Sequence, residues 1–370
     1  MADSGASTPL PLGRKFSFGV GHVLNDLCAS MWFTYLLIFY HKVIGMNNVL
    51  AGTLLLIGQV ADAVATPLVG YESDRINGFC NYGKRKSWHL IGCICVAVSF
   101  SFIFSPVVGR DPMYYSLPSD STTLQYLVYY APFIVIFQFG WASTQISHLS
   151  LIPSLTTCQH DKVGLNSIRY AFTVISNLTV YLLTWYLLSM DSNDGAATQD
   201  NLAFIVIGTG VVFCIVFHVG TKEQSIELDN DLSTSIRTKM YVMCWLKTPQ
   251  FYMVALLYMC TRLIVNLSQV YLSMYLTETL SLTKTYIAIV PLVIYISGFL
   301  VTFPLKLMSK KFGKKKTYVL GLLFVSGASV WFYWLKASVS VDHYLVMAAG
   351  ALNGIGGSTI LVLSLSLPLT

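Results

Sequence analysis

Charged residues are scarce in this sequence. Asp, Glu, Lys and Arg make up 11% of its 370 residues, 55% are hydrophobic, and the mean hydropathy is +0.63. Soluble domains carry about 25% charged residues, so the composition argues against a water-soluble protein. At roughly 20 residues per span, the chain has room for about ten transmembrane helices. The apolar runs are too long for the ~10-residue strands of a membrane barrel.

Several chemical signatures are also absent. None of the eight cysteines forms a C-x-x-C motif, so we expect neither a disulfide framework nor a structural zinc site. The sequence has no Gly-rich phosphate loop and no nucleophile near an acid–base pair, so we expect no enzyme, no cofactor and no metal. The net charge of +6 could suggest nucleic-acid binding, but the basic residues lie in short loops between apolar runs. There they indicate topology, and we expect no nucleic-acid partner.

The apolar runs predict ten transmembrane helices in an all-α, polytopic membrane protein. The predicted spans are 16–41, 49–73, 87–107, 124–151, 164–189, 201–220, 250–276, 284–306, 316–336 and 343–366. Residues 1–15 form a polar tail without the apolar core of a signal peptide. Residues 221–248 are the long central loop, whose charges we expect to be solvated. This loop is predicted to link a six-helix bundle (16–220) to a second bundle (249–370).

The basic residues are distributed asymmetrically between the loops. Seventeen of the 23 lie in alternate loops that include the N-terminal tail, four lie in the opposite loops, and two lie within spans. Lys and Arg are enriched in cytosolic loops. The distribution therefore predicts a cytosolic N-terminus and a cytosolic central linker.

A short pattern follows the second span of each predicted bundle. Residues 67–86 and 304–316 both read Pro-Leu, a short basic turn, Gly and a basic triplet before a new helix. Repeated halves are typical of secondary transporters. Because six spans precede the linker and four follow it, the count predicts a chain two helices short of a six-plus-six design, as in a splice variant or an incomplete chain.

Asp26 is the most deeply placed charge in the first span, where charges cost about 2.5–3.5 kcal/mol even on lenient scales. His22 lies one turn earlier on the same helix face, and Asn25 adjoins it. Asp26 could bridge helices or cap a kink. Its depth favours a cavity-facing site for a substrate or a proton.

Two further charges lie inside predicted spans of the first bundle. Asp62 is central in the second span, with Thr66 one turn later. Such oxygen donors suit a proton or a sodium ion, and plain interhelical hydrogen bonding is equally compatible. Arg169, near the cytosolic end of the fifth span, could bind an anionic substrate group or extend to the lipid headgroups.

Polar stripes run along two other spans. They consist of Gln138, Gln145 and His148 in the fourth span, and of Arg262, Asn266 and Gln269 in the seventh. Stripes of this kind face water-filled cavities more often than lipid. We therefore add Gln145, His148, Arg262 and Asn266 to the candidate substrate site.

The loop after the second span resembles the cytosolic motif of the major facilitator superfamily. The motif residues are Gly70, Asp74, Arg75, Gly83, Lys84 and Arg85. The preceding Asp62-Ala-Val-Ala-Thr66-Pro67-Leu-Val-Gly70 looks like the glycoside–pentoside–hexuronide cation symporters. The chain is also similar, over nearly its whole length, to a vertebrate branch of the superfamily. That resemblance implies cysteine transport into lysosomes and melanosomes and a role in pigmentation.

The symporter resemblance implies roles for individual positions. Asp26 matches a substrate-binding aspartate, Arg169 an arginine of the sugar site, and Asp62 the first carboxylate of the cation site. Thr66 and Gln145 stand where the family has two further carboxylates. This loss argues against Na⁺ coupling and leaves H⁺, or no coupled ion, as the options.

Together, the residues and the resemblance predict alternating-access transport of a small zwitterion, cysteine, across a lipid bilayer. Asp26 would bind the ammonium group, and Arg169 or Arg262 the carboxylate. The alternatives are a shortened, non-transporting protein that regulates a full-length partner, a lysolipid carrier, and a sugar-type cation symporter.

Overall fold

The computed structural model describes residues 10–75, 78, 82–105, 120–156, 158–190, 195–223, 247, 249–283, 285–335 and 343–364. Regular secondary structure in these ranges is helical. Ten helical segments in this part of the chain are long and apolar enough to cross a membrane, and each overlaps one of the predicted spans. The predicted all-α, polytopic architecture is confirmed.

The chain divides into two compact units, Met1–Ile226 and Glu227–Thr370. The helices of the first unit are α1 (Leu12–Gly19), α2 (Val23–Ile38), α3 (Asn48–Arg75), α4 (Lys84–Ile103), α5 (Asp120–Leu155), α6 (Gln159–Met190) and α7 (Gly195–Gly220). Those of the second unit are α8 (Pro249–Met274), α9 (Tyr286–Phe312), α10 (Lys314–Trp334) and α11 (His343–Ser364). Most of the predicted tail (1–9) and of the predicted linker (224–246) lies outside the described residues.

The first span is the central helix of the first unit. In its most apolar 18-residue stretch 83% of the residues are buried, whereas in no other span of the described ranges does this share exceed 50%. Its α2 segment packs against α6 and α7, and large side chains such as Trp32 and Tyr35 are fully buried. A helix that is apolar on nearly all faces belongs in the interior of a bundle. Polar groups on α2 therefore face protein rather than lipid.

A short 3₁₀ turn at Val20–His22 interrupts this central span between α1 and α2. The break lies at Gly21, where an added Cβ would be 2.5 Å from the Phe217 ring and 2.8 Å from the His148 ring. A change to 3₁₀ geometry redirects backbone carbonyl groups. Side chains of α5 and α7 thus reach the backbone of the first span directly before Asp26.

The two basic turns have the same local structure. Gly83 precedes α4 with φ +110°, and Gly313 precedes α10 with φ +85°. Only glycine adopts such angles without steric cost.

The second unit is built by packing of α11 against α9 and α10, with an apolar core around Val290, Val346 and Ile360.

Candidate functional site

Asp26 lies in the first turn of α2 and is buried. Its Oδ1 atom is 2.9 Å from Nδ1 of His22, and its Oδ2 atom accepts a hydrogen bond of 2.8 Å from the hydroxyl of Thr173 on α6. A buried carboxylate is costly unless it is paired and hydrogen-bonded. Both oxygens of Asp26 are held in this way.

Asn25 connects α2 to the polar stripe of α5. Its amide nitrogen donates to the carbonyl of Trp141 at 3.1 Å, and the Trp141 indole donates to Oε1 of Gln145 at 2.9 Å. Gln145 is half-buried. The predicted residues Asn25 and Gln145 are therefore linked through one tryptophan.

His148 on α5 meets the broken part of the first span. Its Nε2 atom lies 2.8 Å from the carbonyl oxygen of Phe18, and its ring stacks on the Phe18 ring at 4.2 Å. The rings of His148 and His22 are 5.8 Å apart. His148 thus borders the same region as the His22–Asp26 pair.

Arg169 lies on α6, one turn before Thr173. The Thr173 hydroxyl is 3.2 Å from the Arg169 carbonyl oxygen as well as 2.8 Å from Asp26. This turn of α6 therefore places a guanidinium group and the Asp26 carboxylate in one neighbourhood. Opposite charges so placed can bind the two ends of a zwitterion.

Four of the predicted residues carry a buried polar atom without a hydrogen-bond partner among the described residues. These atoms are Nε2 of His22, Oδ1 of Asn25, Nδ1 of His148 and Nε of Arg169. More than 90% of buried polar groups are hydrogen-bonded in proteins, so each exception needs an explanation. A bound ligand or water would supply the missing partners. We call the group of His22, Asn25, Asp26, His148, Arg169 and Thr173 the Asp26 cluster.

The predicted ion-coupling residues form a pair on α3. The Thr66 hydroxyl donates to Oδ1 of Asp62 at 3.1 Å, and both side chains are half-buried. The hydrogen bond stabilises the ionised carboxylate. The pair therefore offers a carboxylate and a hydroxyl to a cation or a proton.

Arg262 and Asn266 lie on α8 in the second unit. Arg262 is exposed within this unit, its Nε donates to the Tyr258 hydroxyl at 2.8 Å, and its guanidinium carbon is 5.3 Å from the Tyr258 ring. Gln269 of the same stripe lines a cavity of about 120 Å³ within the second unit. The other polar lining residues of this cavity are Ser268, Tyr295, Asn353 and Ser358.

The loop motif connects the end of α3 to the start of α4. Nη2 of Arg85 is 3.5 Å from Oδ1 of Asp74, and the Lys84 amine donates to the Asp74 carbonyl. Arg75 pairs with Glu72 at 3.7 Å. Gly70 lies within α3, away from this turn.

Glu223 completes the loop motif, although no sequence pattern indicated this role. Its carboxylate accepts hydrogen bonds from the backbone N–H groups of Arg85 at 3.0 Å and Lys86 at 3.1 Å. It therefore caps the amino end of α4. We expected this residue to be a solvated charge of the linker, and that expectation was wrong.

A second polar group was missed entirely. Ligand atoms of His89, Cys93, Cys214 and His218 lie within 4.8 Å of one another. These residues do not match the C-x-x-C pattern, because they form two His/Cys pairs with i,i+4 spacing. The pairs are His89/Cys93 on α4 and Cys214/His218 on α7. Such pairs share one helix face, and that spacing is the signal that could have revealed them.

Comparisons with known proteins agree with this architecture. The family model described as MFS/sugar transport protein matches residues 17–367. The chain is 47% identical to Major facilitator superfamily domain-containing protein 12 of Homo sapiens, over 97% of this chain and 78% of that protein. It is 46% identical to the protein of that name from Mus musculus, over 99% and 80%.

A solved structure supports the same fold. The xylose transporter XylE from E. coli, in a partially occluded inward-open conformation, superimposes with a TM-score of 0.68 at 13% identity. The match covers 96% of this chain and 85% of that one. This chain therefore belongs to the MFS/sugar transport protein family of the major facilitator superfamily, a family of multi-pass membrane transporters.

Proposed function

We propose that this protein moves cysteine into lysosomes and melanosomes by alternating access. The observation that carries the proposal is the Asp26 cluster, which combines a paired carboxylate with four buried polar atoms that have no hydrogen-bond partner among the described residues. Intramembrane charges of this kind line substrate pathways, because retaining them for structure alone is costly.

The chemistry of the cluster suits a small zwitterion. An ammonium group needs hydrogen-bond acceptors, which Asp26 and Oδ1 of Asn25 supply. A carboxylate needs donors, and a guanidinium group such as that of Arg169 is the preferred partner. His22 and His148 can act as donors or acceptors depending on tautomer, so they can adjust to either end of the substrate.

The organelle and the orientation follow from the resemblance and from the loop charges. The relatives at 46–47% identity share a name with one another, and the resemblance to their branch implies lysosomal and melanosomal membranes and a role in pigmentation. The excess of basic residues in the loops on one side supports a cytosolic N-terminus.

The coupled ion is proposed to be a proton. The Asp62–Thr66 pair offers one carboxylate, and one carboxylate with a hydroxyl is a sparse ligand set for Na⁺, which prefers several oxygen ligands as other hard cations do. One solved structure of similar fold is described as a proton:xylose symporter. A single protonatable carboxylate is sufficient for proton binding.

Uptake of labelled cysteine into proteoliposomes that contain the full chain tests this function. We expect Asp26→Asn to reduce initial uptake by about tenfold or more, since a hydrogen bond to a charged group contributes roughly 1.5–3 kcal/mol. The control is the Glu278→Gln variant, which replaces an exposed carboxylate in the second unit. It should transport normally. Undiminished uptake by Asp26→Asn at equal protein abundance would refute the role of Asp26.

A sugar substrate is the second candidate, because the family model and the solved xylose transporter both point to sugars. A neutral sugar needs no charge complementarity. Competition between labelled cysteine and excess xylose separates the two candidates. Cysteine uptake that excess xylose does not reduce supports the amino-acid substrate. Xylose uptake without cysteine uptake supports the sugar.

A further inference from the structure

The four residues His89, Cys93, Cys214 and His218 form a compact group between α4 and α7. His89 and Cys93 are one turn apart near the start of α4, and Cys214 and His218 are one turn apart near the end of α7. The two helices pack against each other within the first unit. His89, Cys93 and Cys214 are buried, and His218 is half-buried.

We propose that this group binds a transition-metal ion, Zn²⁺, in a tetrahedral His₂Cys₂ site. Zn–N bonds of about 2.0 Å and Zn–S bonds of about 2.3 Å require N–N and N–S separations of roughly 3.3 and 3.5 Å in a tetrahedron. The observed separations are 3.1 Å between Nδ1 of His89 and Nε2 of His218, and 3.5 Å between Sγ of Cys93 and Nδ1 of His89. These two separations match a tetrahedral site, and all four ligand atoms lie within 4.8 Å of one another.

The two histidines are oriented as metal ligands are. Nε2 of His89 is 2.9 Å from the carbonyl oxygen of Gly21, and Nδ1 of His218 is 2.8 Å from the hydroxyl of Tyr82. In each ring one nitrogen is thus held by an outer partner while the other faces the group. Metal-binding histidines show this arrangement almost without exception, because the outer bond fixes the tautomer.

The same contacts can leave two nitrogen lone pairs facing each other, an arrangement that a bound cation would stabilise. The Gly21 carbonyl can only accept, so Nε2 of His89 carries the proton and Nδ1 presents a lone pair. When His218 donates its Nδ1 proton to Tyr82, a second lone pair faces the first at 3.1 Å. A metal ion between them removes this repulsion. The alternative is that Tyr82 donates to His218, whose Nε2 proton then bridges the two rings without a metal.

Charge and packing favour the metal. Two thiolates neutralise Zn²⁺, so the complete site is neutral and suits a buried position. The ring of Phe217 lies 4.3 Å from the ring of His89 and shields it. The amine of Lys86 donates to the His218 carbonyl at 3.0 Å and so ties the start of α4 to the end of α7 beside the group.

Four protein ligands leave no open position, as in structural zinc sites. The ion would therefore join α4 to α7 rather than take part in transport. None of the four ligands belongs to the Asp26 cluster. The metal-site proposal and the transport proposal can consequently be tested separately, and refuting one does not refute the other.

Metal analysis of the purified full chain tests the site. We expect about one zinc per chain in detergent without chelators, and roughly tenfold less in the double variant Cys93→Ser/Cys214→Ser, because thiolates supply half of the ligands. The matched control Cys28→Ser/Cys95→Ser also removes two cysteines, one buried on α2 and one on α4, and should retain the zinc. Zinc content equal in the two double variants would overturn the proposal.

Replacement of zinc by Co²⁺ gives a second, spectroscopic measurement on the unaltered chain. Thiolate-to-cobalt charge transfer together with intense visible bands is expected for a tetrahedral His₂Cys₂ site. This spectrum decides the question even if the double variant does not fold. A chain that binds no zinc and shows no thiolate–cobalt bands has the proton-bridged histidine pair instead, and the proposal is then wrong.

Discussion

The imidazole Nδ1 of His22 lies 2.9 Å from Oδ1 of Asp26, while the opposite ring nitrogen of His22 is buried and has no hydrogen-bond partner in the described part of the chain. The ring thus joins the carboxylate on one side to an open hydrogen-bonding position on the other. The second carboxylate oxygen is held by Thr173 on α6. A ligand at the open position would be coupled to Asp26 and, through it, to α6.

Thr173→Val tests the hydrogen bond from the Thr173 hydroxyl on α6 to the Asp26 carboxylate. The change preserves shape and removes a hydrogen bond to a charged group, which contributes about 1.5–3 kcal/mol, so we expect cysteine uptake to fall about tenfold or more. Thr179→Val is the control on the same helix, because the Thr179 hydroxyl donates to the Ile175 carbonyl of its own helix. Equal uptake by the two variants at equal abundance would contradict the role of Thr173.

Asp62→Asn is expected to separate driven uptake from exchange. If Asp62 carries the coupled proton, its loss should abolish accumulation driven by a proton gradient and leave cysteine exchange at equal concentrations largely intact. Thr66→Val removes the hydrogen bond but keeps the carboxylate, and should retain gradient-driven uptake. Gradient-driven accumulation by Asp62→Asn, measured in proteoliposomes, would exclude this residue as the coupling site.

Gly21→Ala should destabilise the first unit. The added methyl group would lie 2.5 Å from Phe217 and 2.8 Å from His148, and overpacking of this kind costs about 1–3 kcal/mol. Gly208→Ala on α7 meets no atom within 4 Å and should raise stability by up to roughly 1 kcal/mol through helix propensity. Thermal unfolding in detergent, followed by tryptophan fluorescence, measures both. A Gly21→Ala protein as stable as the wild type would show that α5 and α7 adjust freely.

Glu223→Ala should weaken the start of α4. Glu223 accepts from two backbone N–H groups there, and loss of a helix cap costs about 0.5–2 kcal/mol. Glu72→Ala removes the carboxylate of a partly exposed ion pair with Arg75, for which the expected cost is roughly 0–1 kcal/mol. The unfolding temperatures of the two variants should therefore differ, and identical values would count against the cap.

The spans were predictable because lipid imposes a local rule. Each crossing helix must satisfy its own backbone and needs about 20 apolar residues, so composition along the chain shows it directly. The charged members of the Asp26 cluster were predictable for a related reason, since a charge in an apolar run stands out. Thr173 carries no charge and is a common residue in membrane helices, so nothing in the sequence distinguished it.

Glu223 and the His₂Cys₂ group show where sequence reasoning fails. Glu223 looks like any other charge at the start of a polar segment, and only the approach of α7 to the start of α4 gives it backbone partners. His89 and Cys93 are far from Cys214 and His218 in sequence. Their spacing at i,i+4 is visible on each helix, but the pairing of the two helices is not.

The sequence by itself determined that the chain lies in a membrane, where its helices cross, and which charges are too costly to be incidental. These properties depend on the transfer of each segment into lipid, which is nearly independent of the rest of the chain. Only the tertiary structure decided which polar groups meet: Asp26 with Thr173, Glu223 with the start of α4, and His89 with His218. Such contacts depend on which helices pack together and in what rotation, and packing is a property of the whole bundle.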